Sequence, residues 1–77
     1  MTNLNDIKAL FDAIERSDID ANMQNLVSDN IIDSLDIMGL VAEIEKKFNK
    51  PLSAEFIEAE NFESFEALKD MLNKAFK

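Results

Sequence analysis

Cysteine and histidine are both absent from the chain. The first absence excludes a disulfide framework and thiolate ligands, and the second removes the commonest general base and the commonest metal ligand. Most routes to independent catalysis are closed, and neither catalytic residues nor a metal site are expected in the chain. Basic residues are scarce, 8 against 16 acidic ones, for a formal charge of -8. That charge repels phosphate backbones and anionic lipid surfaces, which argues against nucleic acid as a partner and leaves basic protein surfaces as the natural complement. No apolar run approaches membrane-spanning length, so no stable membrane insertion is expected. The start, Met1-Thr2-Asn3-Leu4-Asn5-Asp6, lacks the basic and apolar regions of a secretory signal, and the expected location is the cytoplasm.

What is present suffices for folding. Hydrophobic residues make up 47% of the 77 positions and charged residues 31%, unlike the apolar-poor composition of disordered chains. A chain of this length buries only about 60% of its unfolded surface, enough for one small core. A single, marginally stable domain over residues 1–77, monomeric, is the expectation.

Glycine and proline occur once each, at Gly39 and Pro51, and good helix formers with apolar spacings of three and four surround them. The reading is all-α. Leu4, Ile7, Leu10, Phe11 and Ile14 gather on one side of a first helix over residues 3–16. Residues 17–33 read as a long packed loop, with Ile19, Met23, Leu26, Val27, Ile31 and Ile32 as anchors. Loops of that length in small domains are more often functional than ordinary connections are. A second helix runs from Ser34 to Phe48 with Leu40, Val41, Ile44 and Phe48 inward and Glu43 paired to Lys47, and Asn49 and Pro51 stop it. Ser53 caps a short third helix through Glu58. Phe62 plugs the core, and Ser64 starts a last helix with Phe65, Leu68, Met71, Leu72 and Phe76 inward and Lys69, Lys74 and Lys77 toward its negative end.

The segment Asn30-Ile31-Ile32-Asp33-Ser34-Leu35-Asp36 puts a serine where the packed loop becomes a helix. Its hydroxyl can project outward while apolar neighbours anchor the backbone. The unpaired N–H groups of such a helix start stabilise a phosphate there by about 0.3–1 kcal/mol. Position alone equally suits an ordinary N-cap role for Ser34 or for Asp33 before it.

Asp33-Ser34-Leu35-Asp36, followed by Leu40, Val41, Ile44, Glu45 and Phe48, resembles the acyl carrier protein family, and the resemblance spans nearly the whole chain. That family includes fatty-acid, polyketide, peptidyl and D-alanyl carriers. The resemblance implies a four-helix acyl-carrier-type bundle with a long first loop and a short third helix. It implies 4'-phosphopantetheine attached to Ser34 from coenzyme A by a separate phosphopantetheinyl transferase and a magnesium ion, with Asp33 assisting the modification. Through that cofactor the chain would carry an acyl or aminoacyl group as a thioester between loading and transfer enzymes, the thiol coming from the cofactor.

Departures from the family pattern point to a stand-alone, pathway-specific or D-alanyl type of carrier. Asn30 takes the place of a frequent glycine, and asparagine tolerates left-handed backbone angles. Gly39 stands where an acidic residue is frequent, either as a tolerated surface glycine or to admit another chain or the acyl arm, and Lys46 and Lys47 interrupt the acidic face. Asp36, Glu43 and Glu45 remain candidates for contacting arginines and lysines of partner enzymes. Leu35, Ile37 and Met38 form a candidate partner-facing edge, with at least one of them expected in the core. Leu40, Ile44, Phe48, Ile57 and Leu68 are the candidates for lining an acyl cavity.

Two other readings compete. Asp18-Ile19-Asp20-Ala21-Asn22 with Asp29 has spacing near that of a calcium loop, but Met23 replaces the turn glycine and Asp29 the bidentate glutamate. An unmodified acidic helical adaptor, with Ser34 only as an N-cap, is the other.

Overall fold

Side-chain spacing and capping chemistry set the elements in the computed structural model, which describes residues 2–76. Helix α1 spans Leu4–Ala13, α2 Ser34–Phe48 and α3 Phe65–Ala75. Two 3-10 turns, Ala54–Phe56 and Ala59–Phe62, lie between α2 and α3, and no strand occurs among the described residues.

α1 is shorter than the expected 3–16. Asn3 and Asp6 close a reciprocal capping box at its start, and Glu15 turns left-handed at φ 63° just past its end. Arg16 N–H then folds back on the Phe11 carbonyl at 2.9 Å. Leu4, placed in the inward stripe by its spacing, is 37% exposed. α2 has the expected limits, and its stop is Asn49 in the left-handed region at φ 54°.

The expected short third helix over Ser53–Glu58 does not form, so the described residues hold three α-helices where four were expected. Ser53 makes no capping hydrogen bond, only Ala54–Phe56 wind into a 3-10 turn, and none of those three is buried. Short helices gain most of their stability from burying an amphipathic face, and this segment has too little to bury.

The core collects Ile7, Leu10 and Phe11 from α1, Leu40 and Ile44 from α2, and Phe65, Leu68, Met71 and Leu72 from α3. Ile19, Leu26 and Ile32 join it from the long loop, and Leu52 and the fully buried Phe62 from the 49–64 connection. Phe11 stacks on Phe65 with ring centroids 5.2 Å apart, and Phe48 on Phe76 at 4.2 Å. The expected Glu43 and Lys47 pair is replaced by a longer one, Lys47 Nζ lying 3.7 Å from Asp6 Oδ1 across the α1 and α2 contact.

Glu63 fastens the middle of the long loop. Its carbonyl accepts Leu26 N–H at 2.9 Å, its Oε1 accepts Val27 and Ser28 N–H at 2.8 and 3.0 Å, and its Oε2 accepts the Ser28 hydroxyl. The loop is thus held by buried apolar anchors and by one carboxylate from the start of the last helical stretch.

Candidate functional site

The site is built where the long loop enters α2. Asn30 sits at φ 56°, the left-handed turn that asparagine accepts at little cost. Ile31 and Ile32 then donate their N–H groups to the Leu26 carbonyl, both at 2.9 Å, and Ile32 is sealed in the core at 1% exposure. The next residue, Asp33, is extended and serves as the N-cap. Asp33 Oδ1 accepts Asp36 N–H at 3.0 Å, and Asp36 Oδ2 accepts Asp33 N–H at 3.2 Å. This reciprocal box satisfies two backbone donors that a helix start leaves open.

Ser34 is consequently the first residue inside the helix, and the cap is Asp33. The reading of Ser34 as the N-cap is overturned. Ser34 is exposed, and its hydroxyl makes no hydrogen bond with other described residues. The second oxygen of Asp33 lies outside the capping box. A hydroxyl oxygen therefore sits at the positive end of a 15-residue helix, on a backbone fixed by a buried isoleucine on one side and a closed cap on the other.

Around it the candidate residues divide by role. Leu35 and Met38 are 75% and 68% exposed, and Ile57 from the following connection is 40% exposed. Ile37, between them, packs against the core. A shallow recess of about 230 Å³ opens among Ile37, Met38, Val41, Ala42, Glu45 and Ile57. The acidic candidates are less uniform. Asp36 is engaged inside the molecule by Asp33 and by Arg16, whose Nη1 lies 2.6 Å from Asp36 Oδ2. Glu45 Oε2 accepts Leu52 N–H at 2.8 Å, tying α2 to the chain beyond Pro51. Glu43, half-buried, makes no ion pair among the described residues.

Arg16 escaped the sequence reading. Its fork reaches Asp36, the Ile31 carbonyl at 2.8 Å, and both oxygens of Asp18 at 3.1 and 3.2 Å. The available signal was its solitude, since it is the one arginine in an acidic chain. Glu63 was missed for the opposite reason, as one of many acidic residues.

Three further readings meet the structure here. Gly39 is partly buried, and a Cβ at that position would meet Ile14 Cγ2 at 3.2 Å, so the neighbour that approaches it in the fold is the end of α1. The five residues offered for an acyl cavity are placed differently in the fold. Leu40, Ile44 and Leu68 are fully buried, Phe48 is stacked on Phe76, and Ile57 is on the surface. In the would-be calcium loop, Arg16 occupies Asp18, whose carboxyl its hydrogen bond holds below the ordinary range, and Asp20 Oδ1 accepts Asn22 N–H at 2.9 Å. No three metal-ligating side chains converge among the described residues.

Compared with known families, residues 7–72 match the one described as Phosphopantetheine attachment site. Neither curated proteins nor solved structures give a match.

Proposed function

The chain belongs to the phosphopantetheine attachment family, the match covering residues 7–72, and from that premise we propose that Ser34 receives the group and that the chain shuttles acyl or aminoacyl cargo. Covalently attached 4'-phosphopantetheine is the family's cofactor. One observation supports Ser34 as the acceptor: its hydroxyl is exposed and uncommitted, while the adjacent Asp33 closes the helix start.

The residues present fit the group. A phosphodiester on Ser34 would lie at the N-terminal end of α2, where partial positive charge favours it. In the modification, Ser34 Oγ attacks the phosphorus bearing the pantetheine arm of coenzyme A. The new O–P bond replaces the pyrophosphate O–P bond, adenosine 3',5'-bisphosphate leaves, and the hydroxyl proton passes to a base of the transferase. Magnesium belongs to that reaction, and the uncapped oxygen of Asp33 is the group of this chain that would help orient it. The attached cofactor supplies the thiol that this cysteine-free chain lacks, and cargo rides on it as a thioester.

Leu35 and Met38 beside Ser34 would offer the transferase and the loading and transfer enzymes an apolar contact. Glu43, with no internal ion pair, is the best placed of the three acidic candidates to meet a basic partner, whereas Asp36 and Glu45 serve inside the fold. The chain is read as one non-catalytic carrier domain, monomeric and cytoplasmic. Among the described residues no helix is long and apolar enough to cross a membrane.

Intact mass tests the reading. Incubation with a broad-specificity transferase, magnesium and coenzyme A should add one phosphopantetheine to the wild-type chain and none to Ser34→Ala. An unchanged wild-type mass would return the unmodified adaptor to favour.

A further inference from the structure

We propose that Arg16 is the positioning residue of the attachment site, an inference that rests on Ser34 being the acceptor. Arg16 lies in the turn after α1, far from Ser34 in sequence, yet its guanidinium holds three separated pieces of chain. One side carries Asp18, at the start of the long loop, and Nη2 also holds the Ile31 carbonyl, near the loop's end. Nη1 holds Asp36 in the first turn of α2 at 2.6 Å.

The oxygen that Arg16 grips is Asp36 Oδ2, the same atom that accepts Asp33 N–H in the capping box. Arg16 therefore fixes the side-chain conformation that keeps the box closed. The box in turn fixes the backbone on both sides of Ser34. The Arg16 and Asp36 side chains are only 25% and 20% exposed, so the pair is screened less than ordinary surface pairs are.

Charge gives a second reason. In sequence Ser34 stands between two aspartates, a poor neighbourhood for a second anion. The Arg16 cation offsets one of them. Among the described residues no other cation stands in for it: Lys8 is committed to Asp12 and the Ser17 carbonyl, Lys69 to Glu66, Lys46 and Lys47 lie in the last turn of α2, Lys50 beyond that turn, and Lys74 in the last turn of α3. Lysine in place of Arg16 would keep the charge but lose the rigid fork that serves several acceptors at once.

The test measures kcat and KM for phosphopantetheine transfer to the full chain, together with amide hydrogen exchange at Asp33 and Asp36. In Arg16→Gln, kcat/KM should fall about tenfold, less than the roughly hundredfold that a misplacement of about 1 Å can cost, and both amides should exchange faster while those of α3 do not. Asp36→Asn should give a similar loss, and the double variant little more, as for two members of one unit. Arg16→Lys should fall between Arg16→Gln and wild type, and it is the variant to read if Arg16→Gln does not fold. Lys69→Gln, which removes an equal charge elsewhere, should be modified at the wild-type rate. Wild-type modification at Ser34 with an unaltered Arg16→Gln rate would overturn the positioning role alone. A wild-type chain that is never modified would overturn the Ser34 reading and this one with it.

Discussion

A Cβ on Gly39 would stand 3.2 Å from Ile14 Cγ2 and 3.8 Å from its Cβ, so the approach of α2 to the end of α1 is set by a position with no side chain. The closer distance is tight, the farther one ordinary contact.

Two effects oppose each other in Gly39→Ala. Alanine in a helix interior gains about 1 kcal/mol over glycine, and the crowding subtracts from that. Ile14 is the C-cap of α1 and only partly buried, so it can yield by the few tenths of an ångström required. The expected net is a stabilisation of about 0.5 kcal/mol, or a rise of about 2–4 °C in Tm for a domain of this size. Gly39→Val should lower Tm instead, since a branched side chain overpacks the crossing. Thermal unfolding of the two variants checks both signs.

Because Asp33 and not Ser34 is the cap, the loss of stability should follow the Asp33 variant and not the Ser34 variant. Asp33→Ala should cost about 1 kcal/mol in denaturant unfolding, the usual loss for a removed N-cap. Ser34→Ala should leave stability within about 0.5 kcal/mol of wild type, as for an exposed residue without partners, while abolishing the phosphopantetheine mass increment. A large stability loss in Ser34→Ala would mean that its hydroxyl has a structural partner after all.

Phe62→Ala should be the most damaging single truncation in the 49–64 connection. Phe62 has no exposed surface, and Leu52 is the one other core hydrophobic of that connection. Removing a buried phenyl ring costs about 3–5 kcal/mol, a large part of the stability of a domain this small. Urea unfolding should show the midpoint moved far toward water, with α3 still helical where the fold survives.

Acid should loosen the long loop through Glu63. The Ser28 hydroxyl, followed by the Ser28 and Val27 N–H groups, holds the Glu63 carboxyl below its ordinary range. The unfolded chain then binds more protons than the folded one, so the contribution is fully present above the unfolded glutamate value of about 4.3 and is lost as pH falls through the lower folded value. Asp12 and Asp18, depressed first by hydrogen bonds from Lys8 and Arg16, act in the same direction. Glu63→Gln should flatten the Tm against pH curve below about pH 4.3 and speed amide exchange at Val27 and Ser28 at neutral pH. An unchanged curve would show that the carboxylate does not hold the loop.

Residue spacing alone determined a good deal of this protein. The limits of α2 followed from the apolar positions between Ser34 and Phe48 and from Asn49 with Pro51 behind it, because helix periodicity and stop signals are local properties. The left-handed turn at Asn30, the plug at Phe62 and the serine at a loop-to-helix junction were legible for the same reason.

Tertiary structure decided what depended on distant partners. Whether Ser53–Glu58 became a helix turned on how much that face could bury, and the surroundings offered too little. Gly39 acquired its meaning from Ile14, and Lys47 chose Asp6 on another helix over Glu43 on its own. Arg16 became the clasp of the α2 entrance because folding brought Asp18, Ile31 and Asp36 within reach of one guanidinium. A side chain's partners across the fold are fixed by three-dimensional closure, and no window of neighbouring residues contains that information.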